Sequence, residues 1–210
     1  MRTHGPARVA IPVKAFGEAK GRLSPVMSPD QRKRLARLMA ERVIAACSHL
    51  RVSVICDDRE VADWSRALGV DIEWTPGLGL NGAVQETMGR AAERREERLV
   101  VVHSDLPFIP DLEPFTVASA TEVKLVPDRR GMGTNVISVP TESDFRFEFG
   151  PGSFDRHRHS AEQAGLKVTV VTSERLGWDI DEPEDIRVPR HLADLSDLIG
   201  EGMLIVEDLK

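Results

Sequence analysis

Short apolar runs alternate with amphipathic stretches along most of this chain. A short run rich in valine and isoleucine, ended by polar residues or glycine, is typical of a buried strand. Seven segments show this pattern and are predicted to be strands: 8–13, 51–56, 70–74, 99–102, 122–126, 136–139 and 166–172.

The amphipathic stretches between these segments predict helices. The clearest start is at Ser28, which suits an N-cap and is followed by Pro29 at the first helical position. Apolar residues then recur at helical spacing to about Cys47. Further helices are predicted at 60–68, 83–98, 113–120, 153–165 and 181–192.

Strands that alternate with helices in this way predict an α/β fold, with a mixed, mainly parallel, Rossmann-like sheet and helices on both faces. We assign residues 8–192 to a single domain, 1–7 to a flexible N-terminus and 193–210 to a tail that packs on the domain or extends from it. The late section has shorter strands and two glycine loops. It is expected to form a substrate-binding half joined to a nucleotide-binding half.

Composition narrows the classes of partner. The chain has 210 residues and a formal net charge of −6, which argues against nucleic acid because nucleic-acid binding needs a basic surface. No apolar run approaches the roughly 20 residues that span a bilayer, and the start of the sequence has no apolar signal region. We therefore expect a cytoplasmic protein with no membrane partner.

The first candidate for chemistry is Asp105, just past the carboxyl end of the apolar strand 99–102. Ligands of open α/β sheets bind at that edge. An aspartate two residues before Pro107 is also typical of an ordinary turn, so the position alone leaves both interpretations open.

Three cations follow the first strand within nine residues: Lys14, Lys20 and Arg22. Lysine and arginine are the usual partners of phosphate oxygens, and a nucleoside triphosphate would match such a loop. The alternative is a solvated basic loop, since neither a Walker A motif nor GxGxxG is present.

Three glycine loops add possible binding elements. Gly77 and Gly79 would let the backbone approach a flat ligand, and Asn81 offers a donor and an acceptor to a base edge, or else caps the next helix. The loops 131–135 and 150–153 lie later, and the second ends at a helix N-terminus, which favours an anion. Two ordinary turns, with Ser153 as N-cap, are the alternative.

Asp179 and Asp181 share one side of a predicted extended segment. Adjacent carboxylates repel unless a cation lies between them, and Mg²⁺ is commonly held by carboxylates together with phosphates. Asp181 and Glu184 also fit a capping box for the predicted helix 181–192, which would explain Asp181 without a metal.

The sequence lacks an evident protein nucleophile. His103 stands alone at a strand end, and Ser104 lacks the GxSxG setting. A phosphate group of a substrate can act as nucleophile instead, because its second pKa is about 6 and it is ionised at neutral pH. Catalysis then reduces to positioning and charge neutralisation.

Seven short motifs occur together and in order, and through them the chain resembles the CofC/FbiD guanylyltransferases of coenzyme F420 biosynthesis. The resemblance runs from about residue 8 to 186. The motifs are Pro12-Val-Lys14, Ala19-Lys20-x-Arg22-Leu23-Ser24, Gly79-Leu-Asn81, His103-Ser-Asp105-Leu-Pro107, Gly133-Thr134-Asn135, Phe149-Gly150-Pro-Gly152-Ser153-Phe154 and Asp179-x-Asp181-x-Pro183-Glu-Asp185.

The resemblance implies a nucleotide-diphospho-sugar transferase fold. It implies an Mg²⁺-dependent reaction of GTP with phosphoenolpyruvate, 2-phospho-L-lactate or 3-phospho-D-glycerate, which releases pyrophosphate. The product would pass to the next enzyme of the F420 pathway, and a homodimer is possible. The implied site residues are catalytic Asp105, Lys20 and Arg22; GTP-binding Lys14, Lys20, Arg22, Leu80 and Asn81; acceptor-binding Thr134, Gly150 and Ser153; and metal-binding Asp105, Asp179 and Asp181.

Two other functions stay open at this point. A related nucleotidyltransferase could use a sugar phosphate or a pterin phosphate, although its usual glycine-rich start is replaced here by residues 13–17. A catalytically silent nucleotide-binding regulator is the other, although such a protein would not need Asp179 beside Asp181. The roles of Asp57 and Asp58 are left unassigned.

Overall fold

A seven-stranded sheet with helices on both faces forms the body of the molecule. The structure is a computed structural model, and it describes residues 6–193, 198 and 202–207. The strands are β1 Ala7–Pro12, β2 Arg51–Cys56, β3 Asp71–Trp74, β4 Arg98–Val102, β5 Glu122–Pro127, β6 Thr134–Pro140, β7 Lys167–Val170, β8 Arg187–Pro189 and β9 Ile205–Glu207. The helices are α1 Pro29–Ala46, α2 Arg59–Ala67, α3 Gly79–Glu93, α4 Glu113–Thr116, α5 Ser153–Gln163, α6 Glu174–Gly177 and α7 Arg190–Ala193.

The sheet order is β3-β2-β1-β4-β6-β5-β7, and β8 pairs with β9 in a separate small sheet. β1 to β4 run parallel, whereas β6 is antiparallel to both β4 and β5. The predicted mixed, mainly parallel sheet is therefore confirmed. Because β6 is reversed, its first residues lie at the same edge as the carboxyl ends of β1 to β4.

Alternate residues of the strands pack on opposite faces, as a doubly covered sheet requires. Val100 and Val102 of β4 join one apolar cluster with α1 and α2. Leu99 and Val101 join a second cluster with α3 and α5. All five residues of β4 are buried, and the strand pairs with β1 on one side and β6 on the other. Residues that follow β4 are thereby placed at the middle of the molecule.

Several predicted boundaries hold and others do not. α1 starts as predicted, with Ser28 as N-cap and a complete capping box with Gln31. α3 begins at Gly79, four residues earlier than predicted, so the glycine loop contributes the first turn of the helix. The predicted helix at 113–120 is a single turn, Glu113–Thr116.

The predicted helix 181–192 is wrong. Residues 182–186 form turns, and the chain continues as the short strand β8. The capping box between Asp181 and Glu184 is replaced by Asp185, whose Oδ2 accepts from the N–H groups of Asp181 and Glu182 at 2.8 and 2.7 Å. The buried Asp185 is in turn paired with Arg129, so a tertiary contact decides this turn.

The termini are only partly described. Most of the predicted flexible segment 1–7 lies outside the described residues, and Ala7 is already the first residue of β1. Within the tail 193–210, Met203 and Leu204 are buried in a third apolar cluster that also contains Leu23 and Ile180. Apart from residues 193, 198 and 202–207, that tail lies outside the described residues.

Candidate active site

A cavity of about 580 Å³ opens at the carboxyl edge of the sheet. It is lined by residues that follow β1, β2, β3 and β4, together with Asp181. Lys14, Lys20 and Arg22 line it, as do Leu80, His103 and Asp105. The structure thus brings the cationic loop, the glycine loop and the strand-end carboxylate, which are far apart in sequence, to one opening.

Lys20 lies at the centre of this edge. Its Nζ donates to Asp105 Oδ2 at 2.6 Å and to Asp181 Oδ1 at 2.9 Å. The Lys20 backbone is left-handed, with φ 57° and ψ 36°, a conformation that costs a side-chain-bearing residue free energy and that surrounding contacts must stabilise. The two carboxylates outweigh burial and raise the pKa of the Lys20 ammonium, so the group is charged.

The segment that carries Asp179 and Asp181 is fixed to the end of β4 by the backbone. The N–H of Ile180 donates to the carbonyl of Asp105 at 3.2 Å, which places an aspartate on each side of that bond. The amide of Asn135, the second residue of β6, reaches Asp179 Oδ1 at 3.5 Å. The acidic pair predicted from sequence therefore does meet Asp105.

Three carboxylates lie close to one buried ammonium, and the pKa values of two of them are shifted as a result. Burial, with Asp105 and Asp181 nearby, raises the pKa of Asp179 to about 7. Burial alone would also raise the pKa of Asp105, but Lys20 and His103 outweigh it and hold that pKa below its usual value. The Asp105 Oδ1 atom is buried without a hydrogen-bond partner among the described residues. A crowded set of oxygen donors with an unused lone pair fits a hard divalent cation.

The other two cations of the loop are less buried. Arg22 is 71% exposed and lies 4.0 Å from Asp181 and 3.8 Å from Glu182. Lys14 is exposed at the mouth of the cavity. Long, exposed cationic side chains of this kind can reach a phosphate chain that enters the opening.

Leu80 and Asn81 have different surroundings, although they are neighbours in the first turn of α3. Leu80 lines the cavity. Asn81 is not among the lining residues, and its amide holds the Phe149 backbone: Nδ2 donates to the carbonyl at 3.2 Å and Oδ1 accepts from the N–H at 2.6 Å. Asn81 thus ties α3 to the late glycine loop, and its contact with guanine stays a prediction.

The residues predicted to hold the acceptor come together at the start of α5. Ser153 is the first residue of α5 and not its cap, because Gly152 holds the N-cap position with φ 71°. The buried Ser153 hydroxyl lies 3.4 Å from Thr134 Oγ1, at the start of β6. Gly150 has φ 123°, and a Cβ there would lie 3.3 Å from the Arg156 guanidinium.

His157 completes this group and was not predicted from the sequence. Its Nε2 accepts from the Glu148 N–H at 2.9 Å, so Nδ1 carries the ring proton. Nδ1 therefore donates to Thr134 Oγ1, 3.0 Å away, and the Thr134 proton is free to be donated elsewhere. Only the fold shows this, since His157 lies four residues inside an unremarkable helix.

The two aspartates that follow β2 have different roles. Asp58 is the N-cap of α2, where its side chain accepts from the Val61 N–H at 3.1 Å. Asp57 lines the cavity. The two residues, unassigned from sequence, are therefore a helix cap and a wall of the opening.

Comparison with known proteins identifies the family. The model of the family described as "Guanylyl transferase CofC like" matches residues 7–188, which is most of the chain. The chain belongs to the CofC-like guanylyltransferase family. The resemblance inferred from the seven motifs is thereby confirmed.

Curated relatives of this chain carry names that agree with the family. A phosphoenolpyruvate guanylyltransferase of Rubrobacter xylanophilus is 35% identical over 84% of this chain and 89% of its own length. A 2-phospho-L-lactate guanylyltransferase of Methanothermobacter thermautotrophicus is 35% identical over 84% of this chain and 80% of its own. CofC-like relatives with two different acceptors are thus equally similar, and the acceptor is not decided by identity.

Solved structures agree on the fold of this CofC-like chain. A nucleotide-diphospho-sugar transferase-like protein from Desulfovibrio desulfuricans has a TM-score of 0.68 at 18% identity and covers 84% of this chain and 82% of its own. A cytidylyltransferase from Leptospira borgpetersenii has a TM-score of 0.59 at 13% identity and covers 99% of this chain and all of its own. The predicted nucleotide-diphospho-sugar transferase fold is confirmed.

Proposed function

We propose that this protein transfers the guanylyl group of GTP to a three-carbon phospho-acid and releases pyrophosphate. The acceptor is phosphoenolpyruvate, 2-phospho-L-lactate or 3-phospho-D-glycerate. The observation that carries the proposal is the cluster of Lys20, Asp105 and Asp181, which faces the cavity in a chain of the guanylyltransferase family. Carboxylates that can hold a divalent cation, next to a buried ammonium, suit a reaction whose substrates are both anions.

The chemistry needs no protein nucleophile. An oxygen of the acceptor phosphate attacks the α-phosphorus of GTP, and the bond from that phosphorus to the oxygen bridging it to the β-phosphate breaks. Lys20 and Arg22 offset the charge of the reacting phosphates, and Lys14 binds the outer phosphates at the mouth of the cavity. Positioning and charge neutralisation supply the catalysis.

Asp105, Asp179 and Asp181 would hold Mg²⁺ in this proposal. The metal would supply neutralisation of charge at the phosphates when bound. Support for it comes from the all-oxygen donor set and from the unpartnered Asp105 Oδ1. Thr134, Gly150 and Ser153 are proposed to bind the acceptor, since their polar groups lie together at the N-terminus of α5.

The wider setting is also part of the proposal. The product would serve coenzyme F420 biosynthesis and pass to the next enzyme there, and a homodimer stays a prediction. The helices in the described ranges include none with the length and apolar character that a membrane span requires.

The test is pyrophosphate release from GTP with each of the three acids, with and without Mg²⁺. We expect release with at least one acid and only with the metal. A sugar phosphate and a pterin phosphate serve as competing acceptors. Nucleotide binding without turnover of any acceptor would instead identify a silent regulator and contradict the proposal.

Asp105→Asn is the sharpest variant, because it keeps the shape of the side chain and removes the charge that faces Lys20. We expect kcat to fall by about a hundredfold to a thousandfold, the loss that removal of one preorganised electrostatic group typically causes. Asp63→Asn, an exposed aspartate on α2, is the matched control and should retain full activity. Near-normal turnover in Asp105→Asn would exclude it as a ligand of the metal.

A further inference from the structure

His103 has a position that the functions assigned so far do not use. It is the first residue after β4, and its backbone N–H donates to the carbonyl of Asn135 in β6 at 3.0 Å. The residue therefore stands where the nucleotide half of the sheet, β1 to β4, meets the half built on β6. It also lines the cavity.

The ring of His103 lies on the acceptor side of the cavity. It contacts Phe149, with ring centroids 5.2 Å apart and a tilt of 42°. Phe149 directly precedes Gly150 and also packs edge-on against His157, with centroids 4.8 Å apart. His103 thus lies between the Lys20 and Asp105 pair and the loop that is proposed to bind the acid.

The hydrogen bonding of this ring is incomplete. The His103 Nε2 atom is buried and has no hydrogen-bond partner among the described residues. By contrast, both ring nitrogens of His157 are paired, one with Thr134 and the other with the Glu148 backbone. Buried polar atoms in native proteins are nearly always hydrogen-bonded, so an unpaired one beside a cavity points to a missing partner.

The chemistry of the imidazole limits what that partner can be. Whatever its protonation state, the ring carries at least one N–H, whereas an anionic oxygen can only accept a hydrogen bond. A carboxylate or phosphate oxygen of the acid can therefore accept a hydrogen bond from the ring, whether the imidazole is neutral or charged. The guanine base is the competing partner, because Asn81 of the proposed guanine loop holds the Phe149 backbone, and the separate KM values for the acid and for GTP distinguish the two.

We propose that His103 binds the phospho-acid directly, by donating a ring N–H to one of its anionic oxygens, and so sets the affinity for the acceptor. This inference rests on the proposed guanylyltransferase function. It adds a substrate-binding residue to the acceptor site formed by Thr134, Gly150 and Ser153.

The experiment compares two substitutions at this position. His103→Phe keeps a ring that can pack on Phe149 and removes the donor; His103→Gln removes the ring and keeps an amide N–H where Nε2 lies. With the best acid varied at saturating GTP, we expect His103→Phe to raise KM for the acid about tenfold or more, with less than a twofold change in KM for GTP. His103→Gln should recover most of that loss.

The control is His159→Phe, since His159 is exposed on α5 and contacts Gln163. It should leave both KM values unchanged. If His103→Phe does not fold, nitrogen NMR of histidine-labelled wild-type protein gives the same answer: the His103 ring signals should shift when phosphoenolpyruvate or 2-phospho-L-lactate is added in the presence of a non-hydrolysable GTP analogue.

The outcomes separate the two proposals. An active wild-type protein whose His103→Phe variant keeps a normal KM for the acid overturns the role of His103 alone. An unchanged His103 signal on saturation with the acid does the same. A wild-type protein that releases no pyrophosphate with any of the three acids overturns the guanylyltransferase proposal, and the role of His103 with it.

Discussion

Lys20 shows most directly how single residues build the site. Its ammonium is held between Asp105 and Asp181, and its own backbone is left-handed. Breaking a buried ion pair leaves an uncompensated charge, which is far more costly than an exposed pair is favourable. The ion pairs with these two carboxylates therefore also stabilise the strained backbone of the loop.

His157 gives the first residue-scale prediction. Burial, together with His103 and Arg156, lowers its pKa from the ordinary 6.5 to about 3. The unfolded chain takes up this proton as the pH falls below about 6.5, whereas the folded protein does not until about pH 3. The stability that the neutral ring contributes is therefore complete above pH 6.5 and is lost as the pH falls, by up to ~1.4 kcal/mol per pH unit.

Urea unfolding between pH 7 and pH 4 measures this effect. His157→Gln has no ring to titrate and can still accept from the Glu148 N–H. Its free energy of unfolding is expected to be lower than that of wild type at pH 7, and to fall less steeply on acidification. Parallel curves for the two proteins would show that His157 does not carry the dependence.

At the scale of elements, the loop before α5 is the part most sensitive to backbone conformation. Gly150 has φ 123°, where a side chain is strained, and its missing Cβ leaves room for Arg156. Gly150→Ala is expected to cost about 1–3 kcal/mol of stability. It should also raise KM for the acid several-fold, because the loop that is proposed to bind the acceptor shifts.

Gly165→Ala is the matched control for that prediction. Gly165 also has a positive φ, 67°, but it lies beyond the other end of α5 with no atom within 4 Å of the added Cβ. We expect it to cost about 1–2 kcal/mol of stability and to leave KM for the acid unchanged. Steady-state kinetics and thermal melts of the two variants decide whether Gly150 acts on the site or only on the fold.

At the scale of the whole molecule, the described part of the C-terminal tail packs against segments that carry the candidate active site. Met203 and Leu204 pack in the cluster that contains Leu23, next to Arg22, and Ile180, between the two acidic residues. β9 extends this support by pairing in parallel with β8. The tail thus shares an apolar cluster with the cationic loop and with the segment that carries the acidic pair.

Leu204→Ala tests this support. The side chain is 5% exposed, and its truncation should lower the free energy of unfolding by about 2–5 kcal/mol through lost burial and a cavity. Leu68→Ala, at a leucine that is 44% exposed, should change it by less than about 1 kcal/mol. Denaturant titration of both variants gives the comparison, and equal small losses would show that the tail is not part of the cooperative fold.

The sequence by itself determined the elements whose causes are local. Strands such as 51–56 were predicted at their observed bounds, because a short run rich in valine and isoleucine and ended by polar residues is typical of a strand. The start of α1 was predicted because Ser28 and Pro29 encode it within a few residues. Lys20 and Asp105 were identified as candidates because strand-end charges in an α/β chain collect at one edge.

The tertiary structure alone decided what depends on distant residues. The turn after Asp181 follows Asp185 and Arg129, a pair 56 residues apart, and so the local capping pattern misled. The tautomer of His157 depends on Thr134, and the amide of Asn81 binds the backbone of Phe149, 68 residues away. The unpaired nitrogen of His103 is likewise visible only once the fold has placed the ring beside Phe149. Local patterns carry no information about such contacts, because their free energies arise only once the chain has folded.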